Sequence, residues 1–135
     1  MDYPECVLMA EEIARKIGRI TVVPAKPREY TQNILFERKL QPGEEVILVD
    51  TSRLTGSVQE ILYSFKAGCR GYAKMKIFVG TDQVLPEKGW LALDGITDKM
   101  IVRRPVEVGE RITAIFRNDG IFHHTLTAVV TIVGR

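Results

Sequence analysis

The residues able to do chemistry are few, and their spacing limits what they can do. His123 and His124 are the only two histidines. Neighbours on a strand point to opposite faces, so the pair cannot easily share one metal ion. A cupin-like site would need a second histidine two residues away and a nearby glutamate. A blue-copper site would need a cysteine, a second histidine and a methionine close by in the terminal loop. The cysteines are Cys6 and Cys69, and no methionine follows Met100. One packed and one solvated histidine at a strand end is the plainer reading, and a metal-dependent protein using His123 or His124 stands as an alternative.

Nucleophilic and acid–base constellations are missing from the sequence pattern. There is no Gly-x-Ser-x-Gly, and neither cysteine sits in a catalytic signature. Two cysteines so far apart form no metal motif and, as free thiols, fit a reducing compartment, with a Cys6–Cys69 disulfide as the alternative. Asp94, Asp98 and Asp119 fall in loops, two of them in ordinary Asp-Gly turn pairs. Gly68-Cys69-Arg70-Gly71 lacks the Gly-Lys-Ser/Thr helix start of a phosphate loop. These features predict a non-enzyme with no cofactor and no bound metal.

Binding chemistry has two candidate centres. Trp90 is the single tryptophan. Beside Tyr63 or Tyr72 it could serve as a sugar platform, which makes a carbohydrate- or other ligand-binding module the first alternative function; one tryptophan in a small domain also serves as a core anchor or interface residue. Lys74 and Lys76 share one strand face after Arg70, with Tyr72 and Phe78 interleaved, as in a single-strand platform. The plainer reading is a solubilising face that protects a sheet edge. With 19 basic against 17 acidic residues and a net charge of +2, nucleic acid is disfavoured as the partner.

The elements that must position these residues are mostly strands. Two alternating runs, residues 110–117 and 124–133, flank Asn118-Asp119-Gly120. A period of two means a strand with one face on a core, and the Asn-Asp-Gly cluster between them predicts a hairpin. Further strands are expected over residues 33–40, 45–49, 57–65, 73–79, 90–93 and 99–103, with a short β-rich run over 19–23. Gln41-Pro42-Gly43-Glu44 reads as a type II turn. Alternation assigns Ile61, Tyr63 and Phe65 to the core, with Ala73, Met75, Ile77 and Val79, then Ile112, Ala114 and Phe116, and finally Leu126, Ala128, Val130 and Ile132.

One helix is expected. Over residues 4–18, Cys6, Ala10, Ile13, Ala14 and Ile17 form a single stripe, Glu11–Arg15 and Glu12–Lys16 are favourable pairs, and Gly18 caps the end. Pro24 and Pro27 then break the chain. The predicted organisation is a helix and connector arm over residues 1–31 and a β-sandwich over 32–135. Turn signals about every 8–12 residues favour a sandwich or barrel. No apolar run approaches the roughly 20 residues of a membrane span, and no secretory leader is read at the N-terminus. The expected location is cytoplasmic or particle-associated.

An apolar surplus remains. Ile115, Val129 and Val133 fall on the outward side of the last two strands among Thr113, Thr125, Thr127 and Thr131, with Ile121 and Phe122 near the turn. A half-apolar outer face predicts that something covers it, either the N-terminal helix or another subunit. Self-association as a homo-oligomer is the expectation.

The segment from Leu35 to the end resembles the small β-sandwich or jelly-roll proteins of virions and phage particles. The likeness is carried by Leu40-Gln-Pro-Gly43, Gly56-Ser-Val-Gln-Glu-Ile61, Lys76-Ile-Phe-Val-Gly80, Val106-Glu-Val-Gly-Glu-Arg-Ile112, and Arg117-Asn-Asp-Gly120 followed by His124-Thr125. It implies a mainly β, antiparallel jelly-roll-like sandwich with a non-catalytic structural or attachment role. These motifs are turn and strand grammar, so no site residue carries over.

Overall fold

The computed structural model describes residues 28–135. The expected helix over 4–18, the run over 19–23 and Cys6 lie outside the described residues.

Among the described residues the chain forms β1 (Tyr30–Leu40), β2 (Glu45–Thr51), β3 (Gly56–Phe65), β4 (Ala73–Val79), β5 (Asp82–Leu85), β6 (Ile96–Val106), β7 (Arg111–Asn118) and β8 (His124–Gly134). Two four-stranded antiparallel sheets result, in the orders β1-β8-β3-β6 and β2-β7-β4-β5. We call them sheet A and sheet B. Every connection between consecutive strands crosses between the sheets except β4–β5, a tight hairpin at Gly80-Thr81. This interleaving is the jelly-roll-like winding of two Greek keys.

The core lies between the sheets and comes from alternation. β4 reads Ala-Lys-Met-Lys-Ile-Phe-Val, with Ala73, Met75, Ile77 and Val79 fully buried. Ile112, Ala114 and Phe116 of β7 and Leu126, Ala128, Val130 and Ile132 of β8 are also fully buried. In β3, Ile61 and Phe65 are buried while Tyr63 is half-buried against the core, its ring edge-on to Phe65 at 6.3 Å. A bulge between Val58 and Glu60 shifts the register, so that Val58 and Ile61 both face inward.

The expected β7–β8 hairpin does not form. β7 pairs with β2 and β4, while β8 pairs with β1 and β3. Residues 119–123 carry the chain across the sandwich, a gap of about 10 Å in such packing. Both inward sets are buried, but they face each other across the core instead of lying side by side. Alternation shows which face of a strand is buried and is silent about its neighbour. Gly120 also lies outside the left-handed region that a primed hairpin turn would need.

Two smaller differences concern sheet B. Residues 82–85 form β5, too short and polar to stand out from the turn before it. The expected strand over 90–93 is reduced to one bridge, Leu91 to Met75. The Gln41–Glu44 turn is as expected, with Gly43 at φ +78° and the Glu44 N–H donating to the Gln41 carbonyl at 3.0 Å.

Candidate functional site

Asn118 organises the end of the sandwich where the candidate residues collect. It is fully buried. Its Nδ2 donates to the carbonyls of Phe122 (2.7 Å) and Leu40 (3.3 Å), and its Oδ1 accepts from the Gly120 N–H at 2.9 Å. One side chain thus ties the β7–β8 crossover to the end of β1. A buried amide with donor and acceptor both used is stable where an unpaired one would be costly.

The β3–β4 loop, residues 66–72, lies against this crossover. Cys69 is buried and anchors the loop from below. Burial pushes its thiol pKa up, and the charge of Asp94 adds to the effect. The Tyr72 N–H donates to the Cys69 carbonyl at 2.8 Å, and the Gly68 N–H donates to the Asp94 carboxylate at 2.7 Å. The Asp119 N–H then donates to the Tyr72 carbonyl at 2.9 Å, joining loop to crossover. Between them opens a cavity of about 490 Å³ lined by Gly68, Arg70, Tyr72, Asp119, Gly120, Ile121, Phe122 and His124. Ile121 is 81% exposed and Phe122 69%.

Asp119 sits at the rim as the hub of an ion-pair group, 3.0 Å from Lys74 Nζ and 2.7 Å from Arg117 Nε. The hydrogen bond from Lys74, then that from Arg117, holds its carboxyl below the usual carboxylate range. Arg117 continues onto the outer face of sheet B, its guanidinium 5.9 Å from the centroid of the Trp90 ring, while Lys76 Nζ lies over the same ring at 4.4 Å. Gln83 Nε2 donates to the carbonyls of Pro86 and Gly89, both at 2.8 Å, and so holds the loop that delivers Trp90. Leu91 turns in toward the core, which leaves Trp90 half-buried on the outside.

The expected interface residues divide among three places. Ile115 lies on the outer face of sheet B, paired with exposed Ile47. Val129 and Val133 lie on the outer face of sheet A, and Ile121 and Phe122 at the cavity. The single outer face expected from β7 and β8 does not exist, because the two strands belong to different sheets. Tyr72 and Trp90 are likewise apart: Tyr72 lines the cavity, and Trp90 stands on sheet B beyond Arg117. His124 lines the cavity while His123 is exposed outside its lining. Among the described residues no group of three or more His, Cys, Asp or Glu is placed to hold a metal ion, and no helix is long and apolar enough to cross a membrane.

Sheet A adds residues that the sequence reading left out. Leu35, Val129 and Leu62 form one cross-strand row that ends in Lys99 of β6, which pairs with Glu60 at 3.4 Å, and Ile101 stands in the next row. Leu35, Leu62 and Ile101 are all exposed. Around them the polar side chains pair with one another: Thr131 donates to Asn33 (3.0 Å), Thr127 to Glu37 (2.9 Å), and Ser64 shares a hydrogen bond with Thr97 (2.8 Å). The alternation of β1 and β3 contained this signal, but only their pairing with β8 lines the residues up.

No protein-family profile matches the chain, and no curated protein does. Solved structures with a similar fold include viral proteins and a carbohydrate-binding domain. The major capsid protein P2 from bacteriophage PM2 is 16% identical, with 83% of this chain and 47% of that chain covered and a TM-score of 0.42. The structure of infectious bursal disease virus Gx strain is 14% identical over 78% of this chain and 31% of that chain, TM-score 0.39. The CBM36-1 domain of a multidomain xylanase from the hindgut metagenome of Trinervitermes trinervoides is 7% identical over 78% of this chain and 98% of that chain, TM-score 0.45. This chain spans less than half of either viral chain. All three scores lie below 0.5, and the likeness says nothing of function.

Proposed function

We propose that this β-sandwich is a non-enzymatic structural protein that works as a homo-oligomer, joined through the outer face of sheet A. The observation that supports it is the Leu35–Val129–Leu62 row flanked by polar groups already hydrogen-bonded to one another. Desolvating an unpaired hydroxyl or amide costs free energy, whereas a paired one can be covered cheaply. A second copy presenting the same face, packed sheet on sheet at about 10 Å, would bury the apolar row without stranding those groups. Analytical ultracentrifugation tests it: a dimer or larger assembly is expected at tens of micromolar, and Leu62→Glu should release monomer with an unchanged circular dichroism spectrum. A wild-type chain that stays monomeric at that concentration refutes the reading.

A second reading, a glycan-binding module with Trp90 as platform, is favoured by the half-exposed indole on sheet B. Lys76 already lies over one face of the ring, so a sugar must stack on the other face or displace it. Under this reading Trp90→Ala abolishes retention on a glycan column while the fold persists, and retention equal to wild type removes it.

A further inference from the structure

The cavity at the β7–β8 crossover has features that self-association does not use. Its volume of about 490 Å³ falls within the roughly 300–1,000 Å³ of small-molecule pockets. Tyr72 and Phe122 both line it, and neither ring has an aromatic partner; among the described residues Tyr63 and Phe65 are the aromatic pair. Two unstacked rings and Ile121 supply apolar walls for a flat molecule. The charges are unequal. Asp119 is compensated by Lys74 and Arg117. Arg70 makes no ion pair among the described residues, and it is held at φ +47°, a left-handed conformation uncommon for a side-chain-bearing residue. Among the described residues, then, the wall carries one guanidinium outside any ion pair, a group suited to bidentate recognition of a carboxylate or similar anion. Gly120 lets the crossover pack closely against the two lining side chains: a Cβ there would come within 3.1 Å of Tyr72 Cβ and 3.2 Å of His124 Nε2.

We propose that this cavity binds a small planar aromatic anion, its ring against Tyr72 and Phe122 and its charged group on Arg70. The site lies at the sandwich end, away from the outer face of sheet A, so it stands or falls independently of assembly. Titration of the full chain with 2-naphthoate, followed by amide chemical shifts, is the test. Saturable shifts are expected at Arg70, Tyr72, Gly120 and His124, with the neutral analogue 2-naphthalenemethanol binding roughly tenfold more weakly. Arg70→Gln should erase that preference. Phe122→Ser removes a ring that is mostly in solvent, so the core survives, and should weaken both compounds. The proposal is overturned if no saturation appears into the millimolar range, if the shifts fall elsewhere, or if Arg70→Gln keeps the preference for the anion.

Discussion

Replacing Asn118 by alanine tests how the chain crosses between the sheets. The substitution removes three hydrogen bonds from a fully buried side chain. The Leu40 carbonyl and the Gly120 N–H stay buried, whereas the Phe122 carbonyl lies beside exposed residues and can take water. A buried polar group left unpaired costs about 1–3 kcal/mol. The 3.3 Å bond to Leu40 belongs at the low end, so the total should be about 3 kcal/mol. With a urea slope of about 1–3 kcal/mol/M, the unfolding midpoint falls by roughly 1–3 M. Asn118→Asp separates shape from hydrogen bonding. It keeps the acceptor for Gly120 but turns a carboxylate oxygen toward two carbonyls, so at neutral pH it should cost at least as much as alanine. Urea unfolding followed by circular dichroism gives both values. A residue in a simple exposed turn would lose less than about 1 kcal/mol; such a result for Asn118→Ala, or a tolerated Asn118→Asp, refutes the tethering role.

Further outcomes follow from other parts of the molecule. Gly56→Ala drives a Cβ into the Val133 carbonyl and the Gly134 backbone and should cost about 2 kcal/mol or more in thermal or urea unfolding. Gly43→Ala meets no atom within 4 Å and carries only the strain of φ +78°, so about 1 kcal/mol is expected; equal costs would contradict the close approach of Gly56 to Gly134. The carboxyl of Asp119 titrates below its usual range, so its ion pairs contribute stability above the unfolded-state pKa and lose it as pH falls through the lower folded value. Asp119→Asn should therefore flatten stability against pH in that acidic window, read by thermal melts, with no change of slope near neutrality. On sheet A, combining Leu35→Glu with Leu62→Glu should abolish self-association at concentrations where Ile115→Glu, on the opposite sheet, leaves it intact.

The inward sets of β4, β7 and β8 were readable in the sequence, because a strand buried on one face must alternate whatever its neighbours are. The Pro42-Gly43 turn was readable for a similar reason: Pro presets one dihedral, and Gly tolerates the positive φ that follows. β5 was not readable, since four residues after a tight turn carry too little alternation. Trp90 was visible as a candidate, but its setting under Lys76 and beside Arg117 depends on the Gln83 clamp and the Leu91 bridge. The cavity had no signature at all, because Arg70 and Tyr72 meet Ile121, Phe122 and His124 from a loop some fifty residues away in the chain.

The sequence by itself determined a β-rich chain, its turns and the inward face of its main strands, all properties of a few neighbouring residues. Only the tertiary structure decided which strands pair. Strand pairing depends on long-range register, and the physics of alternation is the same for a hairpin and for two strands facing each other across a core. That difference moved Ile115 to one outer face and Val129 and Val133 to the other, and made Asn118-Asp119-Gly120 the tether of a crossover.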